Sequence, residues 1–175
     1  SLAVLACALA AHVPIKSIVE GIESFVPVAG RSKHDLLAVA DRDIHLIDDT
    51  YNANPDSVRA AIDVLKTLPE PRLLVLGDMG EVGDQGPAFH EEIGQYARQC
   101  GIEELWTCGP LSEHTMRAFG RGKHFSDAQS LAGQLNKTVF QFNSTLIKGS
   151  RFMRMEQVVQ KIHDLASQPL ETPCS

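Results

Sequence analysis

The chain lacks the cysteine spacing of a metal knuckle or a redox motif. Cys7, Cys100, Cys108 and Cys174 lie far apart and form no CxxC pair. This argues against a zinc knuckle, a thioredoxin-type centre and a small disulfide framework, and reduced thiols in a cytoplasmic protein are expected. The seven histidines are dispersed, with no HxxxH or HExxH, so no metal site is expected. Positive charge is also short. Lysine and arginine total 16 against 22 acidic residues, a net charge of −6. No electrostatic footprint for nucleic acid or an anionic membrane follows from that balance, and any bound anion must be held locally. No hydrophobic run spans a bilayer. The longest, Leu2 to Ala11 (LAVLACALAA), is about half the ~20 residues required. It has no preceding basic residue and the chain no initiator methionine, so it is not read as a signal peptide. It begins in mid-pattern, which reads as a helix already under way and the chain as a piece of something longer. There is no internal repeat and no low-complexity segment.

What is present is ordinary globular composition. The 175 residues are 43% hydrophobic and 22% charged, enough for one domain, or one domain and a remnant of another. Leu2 to His12 is apolar all round and is expected as a buried helix. After Pro14, Ile15, Ile18, Val19, Ile22 and Phe25 recur at helical spacing. Phe25 to Arg31 has no period and reads as a linker. Leu36 to Ala40 and Ile44 to Ile47, joined by Asp41-Arg42-Asp43, read as a hairpin. From Ile44 onward strands alternate with helices. Strands are expected at Arg72 to Leu76, Leu105 to Cys108, Phe125 and Thr145 to Lys148. Helices are expected after Pro55, with Asn54 as cap, and over Ala88 to Cys100, Leu111 to Phe119 and Asp127 to Asn136, the last capped by Ser126. A final helix should open at Ser150 or Arg151 and run to Ser167, with a fraying tail from Gln168. Alternation of this kind predicts an α/β fold with a mostly parallel, Rossmann-like sheet and helices on both faces. Ligands in such sheets bind beyond the carboxyl ends of the strands.

Chemistry is therefore sought in the loops after strands. The densest is Asp48 to Ser57, DDTYNANPDS, five of whose side chains are carboxylates or amides. Paired carboxylates can hold a hard cation or accept from sugar hydroxyls, and asparagine both donates and accepts. Local capping of a strand-to-helix turn is the other reading of Asn54, Asp56 and Ser57. Asp49 and Asn52 exceed what capping requires. Lys148-Gly149-Ser150-Arg151 sets a close-approach glycine and two cations at an expected helix N-terminus, a place for an anion, without Walker spacing. An ordinary glycine-containing cap is the alternative there. Gly77 to Gly83, with three glycines and two acids, reads as a connector or a ligand loop. His90 reads as a polar helix residue, and Arg31 as a cation at an interdomain edge or a plain surface residue.

Together DDTYNANPDS, VLGDMGEVG at Val75 to Gly83, LIKGSR at Leu146 to Arg151 and PVAGR at Pro27 to Arg31 resemble the peptidoglycan Mur ligases. GDMGEVG departs from the family's usual GDMxELG by valine for leucine. The resemblance implies a bacterial cytoplasmic enzyme of three domains. Residues 1–28 would be the last helices of a central ATPase domain, 29–170 the C-terminal domain and 171–175 a tail. It further implies an ATP-dependent ligase, monomeric, joining D-alanyl-D-alanine to UDP-N-acetylmuramoyl-tripeptide through an acyl phosphate. Other ligases of the superfamily, including folylpolyglutamate synthases, and a non-catalytic nucleotide- or peptide-binding module are the alternatives. By resemblance Arg31 would meet the ATP phosphates and Asp49 the ribose. Tyr51, Asn52 and Asn54 would line the cleft near nucleotide and dipeptide. Lys148, Ser150 and Arg151 would hold a substrate carboxylate or steady the closed state. ATP and Mg would be bound mainly by the central domain.

Overall fold

The computed structural model describes residues 2–25 and 28–168. Two short helices, α1 (Leu2–Ala10) and α2 (Ile15–Glu23), come first. Then follow β1 (Lys33–Val39), β2 (Arg42–Asp49), α3 (Pro55–Leu65), β3 (Arg72–Gly77), α4 (Gly86–Gln99) and β4 (Glu104–Cys108). The chain continues through α5 (Ser112–Phe119), β5 (Lys123–Phe125), α6 (Ala128–Gln134), β6 (Ser144–Lys148) and α7 (Glu156–Ala166). The six strands form one sheet in the order β1-β2-β6-β3-β4-β5. Only the β1–β2 pair is antiparallel; the rest are parallel. The last strand thus sits between β2 and β3, and the carboxyl ends of β2, β6, β3 and β4 lie along one edge.

Strand β3 shows why the sheet carries helices on both faces. Its run Leu73-Leu74-Val75-Leu76 is wholly buried. Successive side chains of a strand point to opposite faces. Leu73 and Val75 pack with Leu131 of α6 and Val158 and Ile162 of α7. Leu74 and Leu76 pack with Val58 and Ile62 of α3 and Ile93 of α4. A continuous apolar run is what a doubly covered parallel strand requires.

Opposite the site edge, Arg72 ties the strand starts together. It donates to Glu103, Glu70 and the carbonyls of Lys66 and Gly101. Burial pushes the Glu103 carboxyl up, but the hydrogen bonds from Arg72 outweigh it and hold it below its usual value.

Several expectations change. Helix α1 has no buried residue, and Leu2 is 81% exposed. Its apolar surface exceeds what α2 covers. The hairpin turn is Ala40-Asp41, with Ala40 at φ 54°, so Arg42 and Asp43 belong to β2. Asp127, not Ser126, caps α6 by accepting from Ser130 N at 2.7 Å. The last helix starts at Glu156. A 3-10 turn over Arg151–Met153 and Arg154 at φ 53° precede it, because Ser150 is held extended by its neighbours. The expected linker residues Val26 and Pro27 and the tail from 169, including Cys174, lie outside the described residues. Among the described residues no helix is long and apolar enough to cross a membrane.

Leu74→Ala removes a fully buried side chain from the doubly covered strand. It should lower unfolding free energy by about 2–5 kcal/mol, measured by urea denaturation of the chain.

Candidate functional site

The polar loop after β2 is built on two adjacent carboxylates with different duties. Strand alternation turns Asp48 and Asp49 to opposite sides. Asp48 is buried and serves the loop itself. It accepts from Gly30 N at 2.9 Å and from the Thr50 hydroxyl at 2.7 Å. Tyr51 N donates back to Gly30 O at 2.9 Å. These bonds dock the end of the expected linker, and Arg31 with it, onto the loop. Asp49 accepts from Ser32 N at 2.9 Å and from the Ser32 hydroxyl at 3.1 Å. Its other oxygen receives the ammonium of Lys148, its register partner on β6. Lys148 is only 3% exposed and also donates to Asn52 O at 2.9 Å.

Asn54 caps α3 in a reciprocal pair. Its side chain accepts from Ser57 N at 2.8 Å, and Asn54 N donates to the Ser57 hydroxyl at 3.0 Å. Pro55 fills the first helical position, where no N–H is needed. The capping reading of this residue therefore holds, while Asn54 also lines the cleft.

The cleft encloses about 290 Å³ and is lined by Gly30, Arg31, Ser32, Asp49, Tyr51, Asn52, Asn54, Ser57 and Lys148. Arg31 stacks its guanidinium 3.8 Å from the centroid of the Tyr51 ring, which is 47% exposed. A cation on an aromatic face is held in place yet keeps its N–H groups outward. A smaller, largely apolar pocket of about 110 Å³ adjoins through Ser32 and Asp49, walled by Ile47, Val64 and Leu146.

Six of the eight expected site residues thus meet in one cleft: Arg31, Asp49, Tyr51, Asn52, Asn54 and Lys148. The other two stand elsewhere. Ser150 is 2% exposed, and its hydroxyl donates to Ala53 O at 3.1 Å. Arg151 is exposed, 3.4 Å from Glu156. The helix N-terminus expected beside Ser150 is displaced to Glu156. Gly149 is needed for close approach, since a Cβ there would stand 2.6 Å from Met155 Cγ.

Ser32 is a contributor that no sequence pattern marks, whereas Ser57 takes the capping part expected of it. His90 is a helix residue as expected, but a buried one, because His90, Ile93, Gly94 and Ala97 repeat at the spacing of one helix face, and all are buried. His90 Nδ1 donates to Gly86 O at 2.8 Å, which leaves Nε2 to accept from Met79 N at 3.1 Å. The ring is a strut under the Gly77–Gly83 loop. Burial pushes its pKa down. Asp78 of the same loop accepts from Ser112 N at 2.7 Å and so fixes the start of α5.

The family model "Mur ligase, glutamate ligase domain" matches residues 36–167, most of the chain. The chain belongs to the Mur ligase family. Among its Mur ligase relatives, the UDP-N-acetylmuramoyl-tripeptide–D-alanyl-D-alanine ligase of Escherichia coli is 34% identical over 166 residues, 94% of this chain and 36% of that protein. MurF from Acinetobacter baumannii superposes with a TM-score of 0.75 at 31% identity, covering 94% of this chain and 36% of that one. A MurF ligase from Thermotoga maritima, solved in complex with ADP, superposes with a TM-score of 0.64 at 25% identity over 82% of this chain and 32% of that one. This Mur ligase chain spans about a third of the length of the relatives it matches.

A neutral His90 is required to accept from Met79, so its lowered pKa links folding to pH. The unfolded ring takes its proton near pH 6.5, the folded ring only below that. Stability from this group is full above about pH 6.5 and falls as the pH drops toward the lowered value. Urea midpoints from pH 7.5 to 5.5 should decline in the parent chain and decline less steeply in His90→Gln.

Proposed function

We propose that this chain supplies one wall of the catalytic cleft of an ATP-dependent ligase that joins D-alanyl-D-alanine to UDP-N-acetylmuramoyl-tripeptide. Support comes first from the convergence of Arg31, Asp49, Tyr51, Asn52 and Lys148 on one open cleft at the carboxyl ends of the strands. The name borne by the E. coli relative, at 34% identity, supplies the reaction. The ADP in the T. maritima neighbour supports a nucleotide as ligand.

The reaction forms two bonds in turn. The tripeptide carboxylate takes the γ-phosphoryl group of ATP and ADP leaves. The amine of the dipeptide then attacks the acyl carbon, and phosphate leaves with the amine's proton lost to solvent or a base. Both steps need alignment and exclusion of water. Arg31 presents a fixed cation at the cleft mouth for the phosphates, a device common in phosphoryl transfer. Asp49 has lone pairs beyond those facing Ser32 and Lys148 and accepts from ribose hydroxyls. Lys148 acts on the cleft from beneath. Its charge is matched by Asp49, so it steadies Asp49 and Asn52 more than it meets solvent. Asn52 and Asn54 offer amides to the dipeptide, and the exposed Arg151 offers a cation to a carboxylate. Magnesium does not fit this wall. Among the described residues no three His, Cys, Asp or Glu side chains gather, and Asp49 is already ion-paired.

We assign residues 1–28 to the domain that precedes this one, and 29–170 to the domain described. In support, α1 and α2 frame an apolar hollow of about 530 Å³, lined by Val4, Val13, Ile22 and Phe25 among others. Such a surface suits contact with further chain.

Two measurements test the reading. The purified chain by itself should release no phosphate from ATP; turnover free of contaminating enzyme would refute the assignment. In the enzyme at the full length of its relatives, Arg31→Ala should lower kcat by about 100-fold or more with little change in melting temperature. Wild-type turnover in that variant would remove Arg31 from the phosphate site.

A further inference from the structure

We propose that Ser150 is a positioning residue, whose buried hydroxyl sets the loop bearing Asn52 and Asn54 against the glycine loop after β3. The proposal rests on the ligase reading of the cleft and adds how its wall is kept in shape.

Extended backbone supplies the geometry. Strand β6 ends at Lys148, but Ser150 stays extended at φ −66° and ψ 155°, so the first and third side chains of Lys148-Gly149-Ser150 share one side. Lys148 Nζ donates to Asn52 O at 2.9 Å, and Ser150 Oγ donates to Ala53 O at 3.1 Å. Two side chains of one motif thus hold two consecutive carbonyls of the cleft loop. Gly149 turns the other way, where a Cβ would lie 3.3 Å from Gly77 Cα.

A hydroxyl carries one proton and two lone pairs. The Ser150 proton is committed to Ala53, and a lone pair accepts from Gly80 N. The backbone N–H of Ser150 donates to Asp78 O at 3.0 Å. Asp78 extends the constraint, accepting from Leu111 N at 3.1 Å and Ser112 N at 2.7 Å. The Ser150 side chain therefore joins the loops after β2 and β3 to its own loop after β6, and its backbone N–H reaches, through Asp78, the loop after β4. At 2% exposure Ser150 does not itself face a substrate. It acts through Asn52 and Asn54 on one side and Gly80 on the other. Arg31 and Asp49 are held separately, by Tyr51, Ser32 and Lys148. Losing the hydroxyl should therefore disturb the dipeptide side of the cleft more than the nucleotide side.

Two readouts test this. The first is amide hydrogen exchange at Gly80 in the chain itself. The second is steady-state kinetics in the enzyme at the full length of its relatives. Ser150→Ala should speed Gly80 exchange about tenfold or more. It should lower kcat/KM for D-alanyl-D-alanine by about tenfold and leave KM for ATP within about twofold. Ser150→Thr, which keeps the hydroxyl, should recover most of both. Ser144→Ala is the control. Ser144 is a buried serine at the other end of the same strand, donating to Pro69 O at 2.8 Å. It should lower melting temperature without moving either readout. Should Ser150→Ala not fold, Ser150→Cys is read in the same way. The proposal is overturned if Gly80 exchange stays at the parent rate, or if kinetics match those of Ser144→Ala while only stability falls. If the parent enzyme shows no ligase activity, the ligase reading fails, and the Gly80 comparison still decides whether Ser150 joins the loops.

Discussion

The buried ion pair between Lys148 and Asp49 joins the ends of two neighbouring parallel strands, and the cleft is arranged around it. A lysine at 3% exposure is tolerated only with a partner and with its remaining protons bonded. Asp49 supplies the charge and Asn52 O a further acceptor. Once those two are fixed, Ser32 is drawn to the other oxygen of Asp49, and Arg31 is carried to the face of Tyr51. Removing either charge would leave the other stranded, a loss of about 3–5 kcal/mol. The same pair that shapes the cleft is thus one of the costlier contacts to break.

The two edges of the sheet use charge differently. At the starts of β3 and β4, Arg72 is saturated by Glu103, Glu70 and two carbonyls. That network closes on itself and has nothing to offer a ligand. At the opposite edge, Arg31 and Arg151 keep exposed guanidinium groups, and the Asp49 carboxylate sits partly open in the cleft. The first arrangement anchors strands, and the second leaves polar capacity in reach of solvent. The struts below the second edge, His90 under Met79 and Asp78 under α5, are uncharged or fully bonded for the same reason as Arg72.

Much of this was legible in the residues, for identifiable causes. The apolar run at Leu73 to Leu76 dictates a doubly covered strand, and the β-α alternation after Ile44 dictates the sheet. Asn54-Pro55 announces the start of α3. Clustering of Asp49, Asn52 and Lys148 follows from parallel register, which loop position alone anticipates. Other features depend on contacts made across the fold. Ser150 reads as a cap because serine before a polar turn usually is one, yet Asp78 O and Ala53 O claim it and delay the helix to Glu156. His90 reads only as a polar helix residue, and its burial follows once its place on the Ile93–Ala97 face is weighed. Helix α1 reads as buried from composition, but burial needs a surface to pack on, and the described residues offer it only α2.

The strand order has a consequence for how the molecule comes into being. Strand β6 occupies the middle of the sheet but emerges late from the ribosome, 99 residues after the aspartate its lysine must meet. Until then β2 and β3 face a gap, each with unpaired edges. Contacts of such long sequence separation are slow to form, because the loop between them must close before they reward it. Between the emergence of β3 and that of β6 the nascent chain therefore carries two open hydrogen-bonding edges, a state in which neighbouring copies compete for the vacant place. Completion of the cleft wall and closure of the sheet are the same event.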